Sequence, residues 1–385
     1  MREQVAHFQA DTRSRKRMTL GDLLELQRGY DLTADERLPG SIPVIGGGGE
    51  NGYHAVANVR GPGVALARSG SGFGNAWWVD TDFWAHNTVM FVKNFKGNDP
   101  RYVFYVLDSI DFSEHNSGGA QPSLNRNFIY PIPVFIPPLS DQQKIAAILR
   151  TWDAALNNLV ALRSTKAKGL EGLTQRLLGR GGVFPSKWPV KPLSAIATRV
   201  RRQNGGGNHP VMTISARSGF LMQSDKFARD MAGTSVDRYT LLHEGEFAYN
   251  KGNSLAALYG CIYRLDRPTA LVPFVYFCFA LKPGHDHGFY EHLFAAGALN
   301  HQLSRLINSG VRNDGLLNLN VEDFFGCKVP VPPLDEQHRI ALALSAAKQE
   351  LALLDEEIKA LTRQKRGLMQ KLLTGEWPVQ VEKDI

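Results

Sequence analysis

The chain has 385 residues, a formal net charge of +7, 43% hydrophobic residues and 10% aromatic residues. This length predicts two or three domains, and the composition excludes a disordered or fibrous chain. The longest apolar run, residues 270–281, is interrupted by Pro273 and is far shorter than the roughly 20 residues that a membrane-spanning helix needs. We therefore expect a globular protein with more than one domain.

The N-terminus and the cysteines indicate the cellular compartment. Residues 1–17 end in a basic cluster and contain no apolar stretch, so we expect no signal peptide. Cys261, Cys278 and Cys327 lack the spacing of metal ligands and are odd in number, which argues against a zinc site and a disulfide scaffold. We expect a cytoplasmic protein, and its basic charge permits a polyanionic partner.

Residues 18–136 form a first globular region. They are rich in glycine, proline and aromatic residues, and short β-like runs at 63–67 and 89–92 predict a mixed α/β domain. Residues 47–52 fit the dinucleotide-binding pattern G-x-G-x-x-G, which requires a helix to follow. The residues that follow favour a strand, so we interpret this pattern as a tight glycine turn.

A second pattern in this region resembles the Asp-Pro-Pro-Tyr catalytic motif of amino-methyltransferases and occupies residues 99–102. Arg101 stands where that motif has its second proline, and no loop for S-adenosylmethionine accompanies it. We interpret the pattern as a helix start, because Asp99 can cap a helix and Pro100 fits the first turn. No catalytic or metal-ligating residue is predicted in the chain.

An internal repeat organises the rest of the sequence. The segment that begins at Pro137 reappears at Pro332, 195 residues later, and the copies match without a gap for about fifty residues. Each copy predicts one long helix that begins after a Pro-Pro pair, which cannot lie inside a helix. The chain is therefore a duplication.

Capping signals mark both ends of these helices. Ser140 and Gln143 form a capping-box pattern in the first copy, and Asp335 can cap the second. Gly179 and Gly375 are expected to end the two helices.

Between these ends, apolar residues recur at spacings of four and three, which is the period of a coiled-coil seam. The predicted helix-pairing residues are Leu149, Trp152, Leu156, Leu159, Leu170, Leu173, Leu177, Leu344, Leu351, Leu354, Ile358, Leu361, Leu368 and Leu372. Arg163, Lys166 and Lys365 interrupt the seam and are expected to fix its register. The alternative is that each amphipathic helix packs on a globular core, but two seams of equal length favour helices that pair with each other.

Residues 188–331 form a second globular region of the same composition. The two globular regions resemble each other weakly, whereas the helices are nearly the same. A constant frame with two divergent globular regions indicates that these regions recognise different things at a set distance.

The order globular region, helix, globular region, helix resembles the specificity subunit of type I restriction–modification systems over residues 18–379. The motifs that carry the resemblance are Leu-Gly-Asp-Leu at 20–23, Ile-Pro-Val-Ile-Gly-Gly at 42–47, the Pro-Pro-Leu segments at 136–142 and 331–337, and the Gly-Leu-x-Gln helix ends at 172–178 and 367–373. The resemblance implies an α+β protein. Two mixed α/β target recognition domains would be separated by two long helices that pair as an antiparallel coiled coil, in a pseudo-two-fold internal duplication.

This resemblance also assigns the segments and the partners. The predicted segments are a basic N-terminal tail at 1–17, target recognition domain 1 at 18–138, a central helical spacer at 139–180, target recognition domain 2 at 188–333 and a C-terminal helical spacer at 334–375. The resemblance implies that the domains read a bipartite, asymmetric site in double-stranded DNA, and that the helices dock two methyltransferase subunits, which restriction/translocase subunits join. No cofactor is expected in this chain, whereas S-adenosylmethionine, ATP and Mg are expected on the partner subunits.

Glycine-rich loops and the segments before the long helices are the candidate DNA contacts. Cations bind phosphates, Arg reads guanine, and Asn or Gln reads adenine. The candidates in the first globular region are Arg68, Ser69, Ser71, Asn75, Gln121, Ser123, Asn125 and Arg126. Those in the second are Asn250, Lys251, Asn253, Ser254, Arg312, Asn313 and Asn318. The alternative for each residue is an ordinary position in a polar surface loop.

Two other functions fit the same sequence. The chain could be the recognition subunit of a two-sided cutter whose partner combines methyltransferase and nuclease, or a coiled-coil scaffold whose two globular regions bind proteins and not DNA. The basic charge and the loops rich in glycine, arginine and asparagine favour DNA recognition.

Overall fold

The computed structural model describes residues 18–119, 122–179, 184–226, 238–252, 257–307 and 316–379. The chain divides into two compact units: unit 1 is Met1–Val160 with Glu356–Ile385, and unit 2 is Ala161–Asp355. The predicted basic tail at 1–17 lies outside the described residues. Within the described part, none of the helices has the length and apolar character needed to cross a membrane.

The described part of unit 1 is built from short strands and short helices that lead into a long helix. Its strands are β1 (Met18–Thr19), β2 (Glu25–Arg28), β3 (Ile42–Gly46), β4 (Gly49–His54), β5 (Gly63–Ala67), β6 (Ala76–Val79), β7 (Trp84–Ala85), β8 (Val89–Asn94) and β9 (Pro133–Val134). Its helices are α1 (Leu20–Leu23), α2 (Pro100–Ser109), α3 (Arg126–Ile129) and the start of α4 (Leu139–Leu178).

The described part of unit 2 is likewise built from short strands and short helices that lead into a long helix. Its strands are β10 (Val190–Pro192), β11 (Ala197–Arg199), β12 (Met212–Ser215), β13 (Gly219–Met222), β14 (Thr240–His243), β15 (Phe247–Asn250), β16 (Cys261–Arg264), β17 (Thr269–Val272), β18 (Phe277–Leu281) and β19 (Lys328–Pro330). Its helices are α5 (Leu193–Ile196), α6 (Gln223–Lys226), α7 (His287–Ala295), α8 (Asn300–Leu306), α9 (Val321–Gly326) and the start of α10 (Leu334–Leu373).

Both units contain the same four-stranded antiparallel sheet. The strand order is β2-β8-β5-β6 in unit 1 and β11-β18-β15-β16 in unit 2, and each unit adds an antiparallel pair, β1–β9 or β10–β19. The remaining strands differ: unit 1 has a three-stranded sheet, β4-β3-β7, whereas unit 2 has the separate pairs β12–β13 and β14–β17. The predicted α+β class and the internal duplication are therefore confirmed in the order of the elements.

The main core of each unit lies between its four-stranded sheet and the helix that follows it. In unit 1, Asp99 caps α2 by accepting a hydrogen bond from the N–H of Tyr102 at 2.8 Å, and Pro100 occupies the first turn. Tyr102, Tyr105 and Val106 on this helix are buried. The interpretation of residues 99–102 as a helix start is confirmed.

A buried glutamine connects the start of each long helix to its unit. Gln142 accepts a hydrogen bond from the N–H of Asp99 at 2.9 Å and donates to the carbonyl of Pro137 at 2.9 Å. In unit 2, Gln337 accepts from the N–H of Asp286 at 2.9 Å and donates to the carbonyl of Pro332 at 2.8 Å. Both side chains are almost completely inaccessible, so their own polar atoms need these backbone partners.

The predicted N-caps of the long helices were wrong, and the predicted ends were right. Helices α4 and α10 begin two residues earlier than N-caps at Ser140 and Asp335 would place them, so both residues lie inside the first turn. The Pro-Pro pair directly precedes each helix, and its second carbonyl accepts the first hydrogen bonds. Gly179 and Gly375 follow the helices with φ of 85° and 74°, the left-handed conformation typical of a helix end.

Ion pairs join α4 to α10 at the charged positions that interrupt the seam. In unit 2, Arg163 pairs with Asp355 at 3.0 Å and Lys166 pairs with Glu350 at 2.7 Å. Residue numbers rise along one helix as they fall along the other, so the helices are antiparallel there. In unit 1, the pair is Lys365 with Asp153. Arg163, Lys166 and Lys365 thus each pair with an acidic residue of the other long helix, and their role in fixing the register stays a prediction.

Each predicted helix-pairing residue is buried or half-buried. Leu149 and Leu372 belong to the core of unit 1, and Leu344 belongs to the core of unit 2. The ends of the helices therefore pack on the globular cores, as the alternative interpretation required, while the ion pairs show that the helices also run alongside each other. Both interpretations hold, each for a different part of the helices.

Candidate nucleic-acid interface

A glycine-rich loop follows β5 in unit 1 and is closed by backbone hydrogen bonds. The N–H of Ala67 donates to the carbonyl of Asn75 at 2.8 Å, and the N–H of Gly74 donates to the carbonyl of Ala67 at 2.9 Å. Gly70 and Gly74 have φ of 93° and 83°, a conformation that favours glycine. The loop has a defined shape, and it exposes the predicted DNA contacts Ser71 and Asn75.

The turn between β3 and β4 packs against this loop, backbone on backbone. A Cβ atom at Gly47 would lie 2.0 Å from the carbonyl oxygen of Ser69, and a Cβ atom at Gly72 would lie 2.1 Å from the carbonyl oxygen of Gly47. Both positions therefore require glycine. Because β4 follows as a strand, the interpretation of residues 47–52 as a glycine turn is confirmed.

The segment before α3 crosses the same loop. Ser69 and Ser123 form an antiparallel bridge, and the N–H of Leu124 donates to the carbonyl of Arg68 at 2.8 Å. The Arg68 side chain donates from Nη2 to the Ser123 hydroxyl at 3.2 Å. The structure thus brings together two groups of predicted residues that are 55 positions apart in the sequence.

The other predicted residues of unit 1 have local roles. Asn125 caps α3 by accepting a hydrogen bond from the N–H of Asn127 at 3.0 Å. Arg126 donates from Nη1 to the carbonyl of Leu26 at 2.9 Å. These contacts stabilise the fold around the loop, and a role of either residue in DNA binding stays a prediction. Gln121 lies outside the described residues.

In unit 2, Asn250 uses its amide for the backbone. Its Nδ2 donates to the carbonyl of Ile214 at 3.1 Å, and its Oδ1 accepts from the N–H of Gly252 at 2.9 Å. Both ends of the amide are thereby engaged. Asn250 shapes the loop after β15, and its contact with a base stays a prediction.

Lys251 occupies a position like that of Arg68. Its carbonyl accepts a hydrogen bond from the N–H of Leu317 at 2.8 Å, and the next residue, Gly252, forms a bridge with Leu316. The Lys251 ammonium lies 5.2 Å from the ring centre of Phe277. The segment before the second long helix thus crosses the loop in unit 2 as it does in unit 1, and it exposes Asn318. The predicted contacts outside the described residues are Asn253, Ser254, Arg312 and Asn313.

Two arginines next to these loops are absent from the predicted DNA contacts. Arg28 ends β2 and is exposed, and its charge acts on Arg68. Burial lowers the pKa of Arg68, and the nearby positive charge of Arg28 lowers it further. Arg201 follows β11 in unit 2 and is also exposed. An exposed arginine at a strand end gives no signal in the sequence, because it looks like ordinary surface charge.

A depression of about 400 Å³ adjoins Arg201 in unit 2. Arg199 and Glu322 also line it. Burial and Arg201 lower the pKa of Arg199, while Glu322 acts in the opposite direction. This corner of unit 2 therefore carries more positive than negative charge. Among the described residues, no group of three or more His, Cys, Asp or Glu side chains is arranged to hold a metal ion.

Comparisons with known proteins agree with this arrangement. Residues 15–164 match the family described as Type I restriction modification DNA specificity domain. The type I restriction enzyme EcoprrI specificity subunit of Escherichia coli is 28% identical over 171 residues, which is 43% of each chain. The type I restriction enzyme MjaVIII specificity subunit of Methanocaldococcus jannaschii is 32% identical over 68 residues, 18% of this chain and 16% of that one. These alignments span less than half the length of the curated relatives.

A solved structure shares the fold over nearly the whole chain. The crystal structure of the type I restriction-modification system S subunit from M. genitalium superposes with a TM-score of 0.61 at 17% identity, and covers 95% of this chain and 96% of that one. At this identity the likeness establishes the fold alone. The resemblance to specificity subunits that the sequence predicted is confirmed.

Proposed function

We propose that this chain, whose residues 15–164 match the Type I restriction modification DNA specificity domain family, is the subunit that gives such a system its DNA sequence specificity. In this role it reads a bipartite, asymmetric site in double-stranded DNA, one half-site with each globular region. The chain supplies recognition, and partner subunits supply methyl transfer and cleavage.

One observation carries the proposal. The family match ends at residue 164, yet unit 2 repeats the strand order of unit 1 and the same crossing of a glycine-containing loop by the segment before a helix. Two regions with one architecture and different loop residues support two recognition domains with different half-sites. We accordingly propose target recognition domains at 18–138 and 188–333 with helical spacers at 139–180 and 334–375.

The proposed partners follow from this role. Two methyltransferase subunits would dock on α4 and α10, and restriction/translocase subunits would join them, with S-adenosylmethionine, ATP and Mg bound by those partners. The three cysteines are not joined in disulfides, which supports a reducing compartment, and we place the complex in the cytoplasm.

Methylome sequencing of cells that express this chain with its methyltransferase subunits tests the proposal. Modification should fall on one bipartite sequence whose two half-sites differ. Replacing residues 18–136 with the corresponding region of another specificity subunit should change one half-site and leave the other half-site and the gap unchanged. Modification without a defined sequence, or a change in both half-sites, would contradict the proposal.

A second variant tests the division of labour between helices and globular regions. Four residues inserted at 157–162 add about 6 Å to α4. The gap between half-sites should grow by one or two base pairs while the half-sites stay the same. A complex that shows no salt-dependent binding of duplex DNA would instead favour the protein-binding scaffold, since phosphate-driven affinity falls steeply with salt. A partner that carries both methyltransferase and nuclease activity would favour the two-sided cutter.

A further inference from the structure

The strand register places two cations together in unit 1. Arg28 pairs with Met90 on β8, and Met90 pairs on its other side with Leu66 on β5. Directly paired residues share a face of the sheet, and so do residues two apart along a strand. Arg68 follows Leu66 by two positions, so it lies on the same side as Arg28 at the same end of the sheet.

The register of unit 2 repeats this arrangement. Tyr249 on β15 pairs with Phe277 on β18. Pairing of β11 with β18 continues past Arg199, because the N–H of Val200 donates to the carbonyl of Cys278 at 2.8 Å. Arg201 is therefore level with Phe277, as Arg28 is level with Met90. Lys251 follows Tyr249 by two positions and takes the place of Arg68.

We propose that Arg28 with Arg68, and Arg201 with Lys251, are equivalent phosphate-binding pairs, each of which contacts the DNA backbone of one half-site. We name them the basic corner of unit 1 and the basic corner of unit 2. The inference rests on the proposed function and deepens it, because it assigns the backbone contacts on both half-sites to one structural position.

The contrast between the cations and their neighbours supports the assignment. The paired residues next to the cations are Met90 and Leu66 in unit 1 but Phe277 and Tyr249 in unit 2. The two units therefore have different apolar residues at this position of the sheet. The positive charges at this end of the sheet are nevertheless present in both units. A requirement shared by two different half-sites explains this, and the phosphate backbone is what two different DNA sequences share.

Geometry and electrostatics at the two corners fit an anionic ligand. Arg68 is held by its hydrogen bond to Ser123, and Lys251 lies over the Phe277 ring, so both cations are positioned in advance. The charged group that acts most on Arg68 is a second cation, Arg28. Two neighbouring like charges repel each other, and a bound phosphate removes this repulsion.

The salt dependence of DNA binding tests the inference. The assembled complex should be titrated with its methylome-defined duplex between 50 and 200 mM salt, using wild type and the pairs R28Q/R68Q and R201Q/K251Q. The slope of log K against log salt is negative, and each lost phosphate contact reduces its magnitude by about 0.9. Each double variant should therefore reduce this magnitude by about 2 and weaken binding roughly tenfold. The methylated sequence should keep the same bases in both half-sites in both variants.

Three further variants separate charge from structure. R28Q removes an exposed side chain and should reduce the magnitude of the slope by about 1. This variant remains informative even if the substitution of Arg68 in the double variant disturbs the loop. R68K keeps the charge and should keep the slope. K93Q is the matched control, because Lys93 is on β8 of the same sheet, toward its opposite end, where it pairs with Glu25. It should bind like wild type.

The outcomes distinguish this inference from the proposed function. Wild type that shows no site-specific binding would overturn the proposed function. If wild type binds its site and the paired variants keep the wild-type slope, or alter the half-site letters, then the basic corners do not bind phosphates and this inference alone is wrong.

Discussion

Unit 1 and unit 2 share a four-stranded sheet with one strand order, yet they fill it with different side chains. In unit 2, Phe279 packs against both Phe247 and Phe324, and the rings of Phe247 and Phe279 are stacked at 5.3 Å. At the level of Phe279, the equivalent strand of unit 1 carries Val92. The sheet therefore tolerates exchange of its apolar residues, provided that the core stays filled.

The contacts between each globular region and its long helix have changed much less. Gln142 and Gln337 bond the N–H of a capping aspartate and the carbonyl of the first proline in the same way. A buried polar contact has strict geometry, whereas apolar packing can be rebuilt with other residues. The difference teaches that duplication preserved the frame and allowed the globular regions to diverge.

The largest expected effect tests the aromatic core of unit 2 against the aliphatic core of unit 1. F279A should destabilise unit 2 by about 3–5 kcal/mol, because it removes a fully buried ring and leaves a cavity. V92A removes far less volume and should cost unit 1 roughly 2 kcal/mol. Hydrogen exchange measured separately for the strands of each unit gives both values, and F274A, at a half-exposed ring, serves as the control. Equal losses would show that the two cores are energetically alike.

The next prediction concerns the part that duplication preserved. Q142L and Q337L should each cost roughly 2–4 kcal/mol, because each leaves a partly buried N–H and a buried carbonyl without this partner. Q143L, at the exposed neighbouring position, should change stability by less than about 0.5 kcal/mol. Thermal unfolding of the assembled complex measures the three variants. If Q143L destabilised the complex as much as Q142L, the capping box of Ser140 and Gln143 would explain the start of α4 better than the contacts of Gln142.

A smaller difference is expected between the ion pairs of the two units. Lys365 is only 15% exposed and its partner Asp153 also accepts a hydrogen bond from the Tyr105 hydroxyl, whereas the side chains of Lys166 and Glu350 are 44% and 49% exposed. K365M should cost roughly 1–3 kcal/mol and K166M less than about 1 kcal/mol. Unfolding at low and high salt checks this: added salt should weaken the Lys166 pair more, and the reverse order would contradict the burial argument.

The smallest effect is a pH dependence of unit 2. Burial is the main cause that lowers the pKa of His287 and His292, so both are neutral in the folded state over a range where the unfolded chain is protonated. The unfolded state then binds more protons, and stability falls as the pH drops below about 6.5. H292Q should lose less stability than wild type between pH 7.5 and pH 5.5. Hydrogen exchange of the α7 amides at the two pH values measures this difference. An unchanged pH dependence in H292Q would exclude His292 as its source.

Much of the frame could be predicted because its signals are local or periodic. The repeat at 195 residues located both long helices, and Asp99 with Pro100 marked the start of α2. Arg163 and Lys166 were recognised as register residues because a charge inside an apolar seam requires an opposite charge across it.

The helix starts show where local signals were insufficient. The sequence around Ser140 satisfies the capping-box pattern, yet the tertiary structure uses Gln142, whose partner Asp99 is 43 positions away. No short-range pattern can report such a bond. The same reason explains why Asn250 and Arg126, which have the side chains of base readers, are engaged with backbone groups in the fold.

The sequence by itself determined the duplication, the two long helices with their registered charges, and the resemblance to DNA specificity subunits, because each of these depends on order and period along the chain. Only the tertiary structure decided which distant residues meet. It joined Arg68 to Ser123, aligned Arg28 with Arg68 across three strands, and placed Arg201 and Lys251 in the same way in unit 2. Strand register sets these neighbours through backbone hydrogen bonds between segments far apart in the chain, and that pairing cannot be obtained from composition or periodicity.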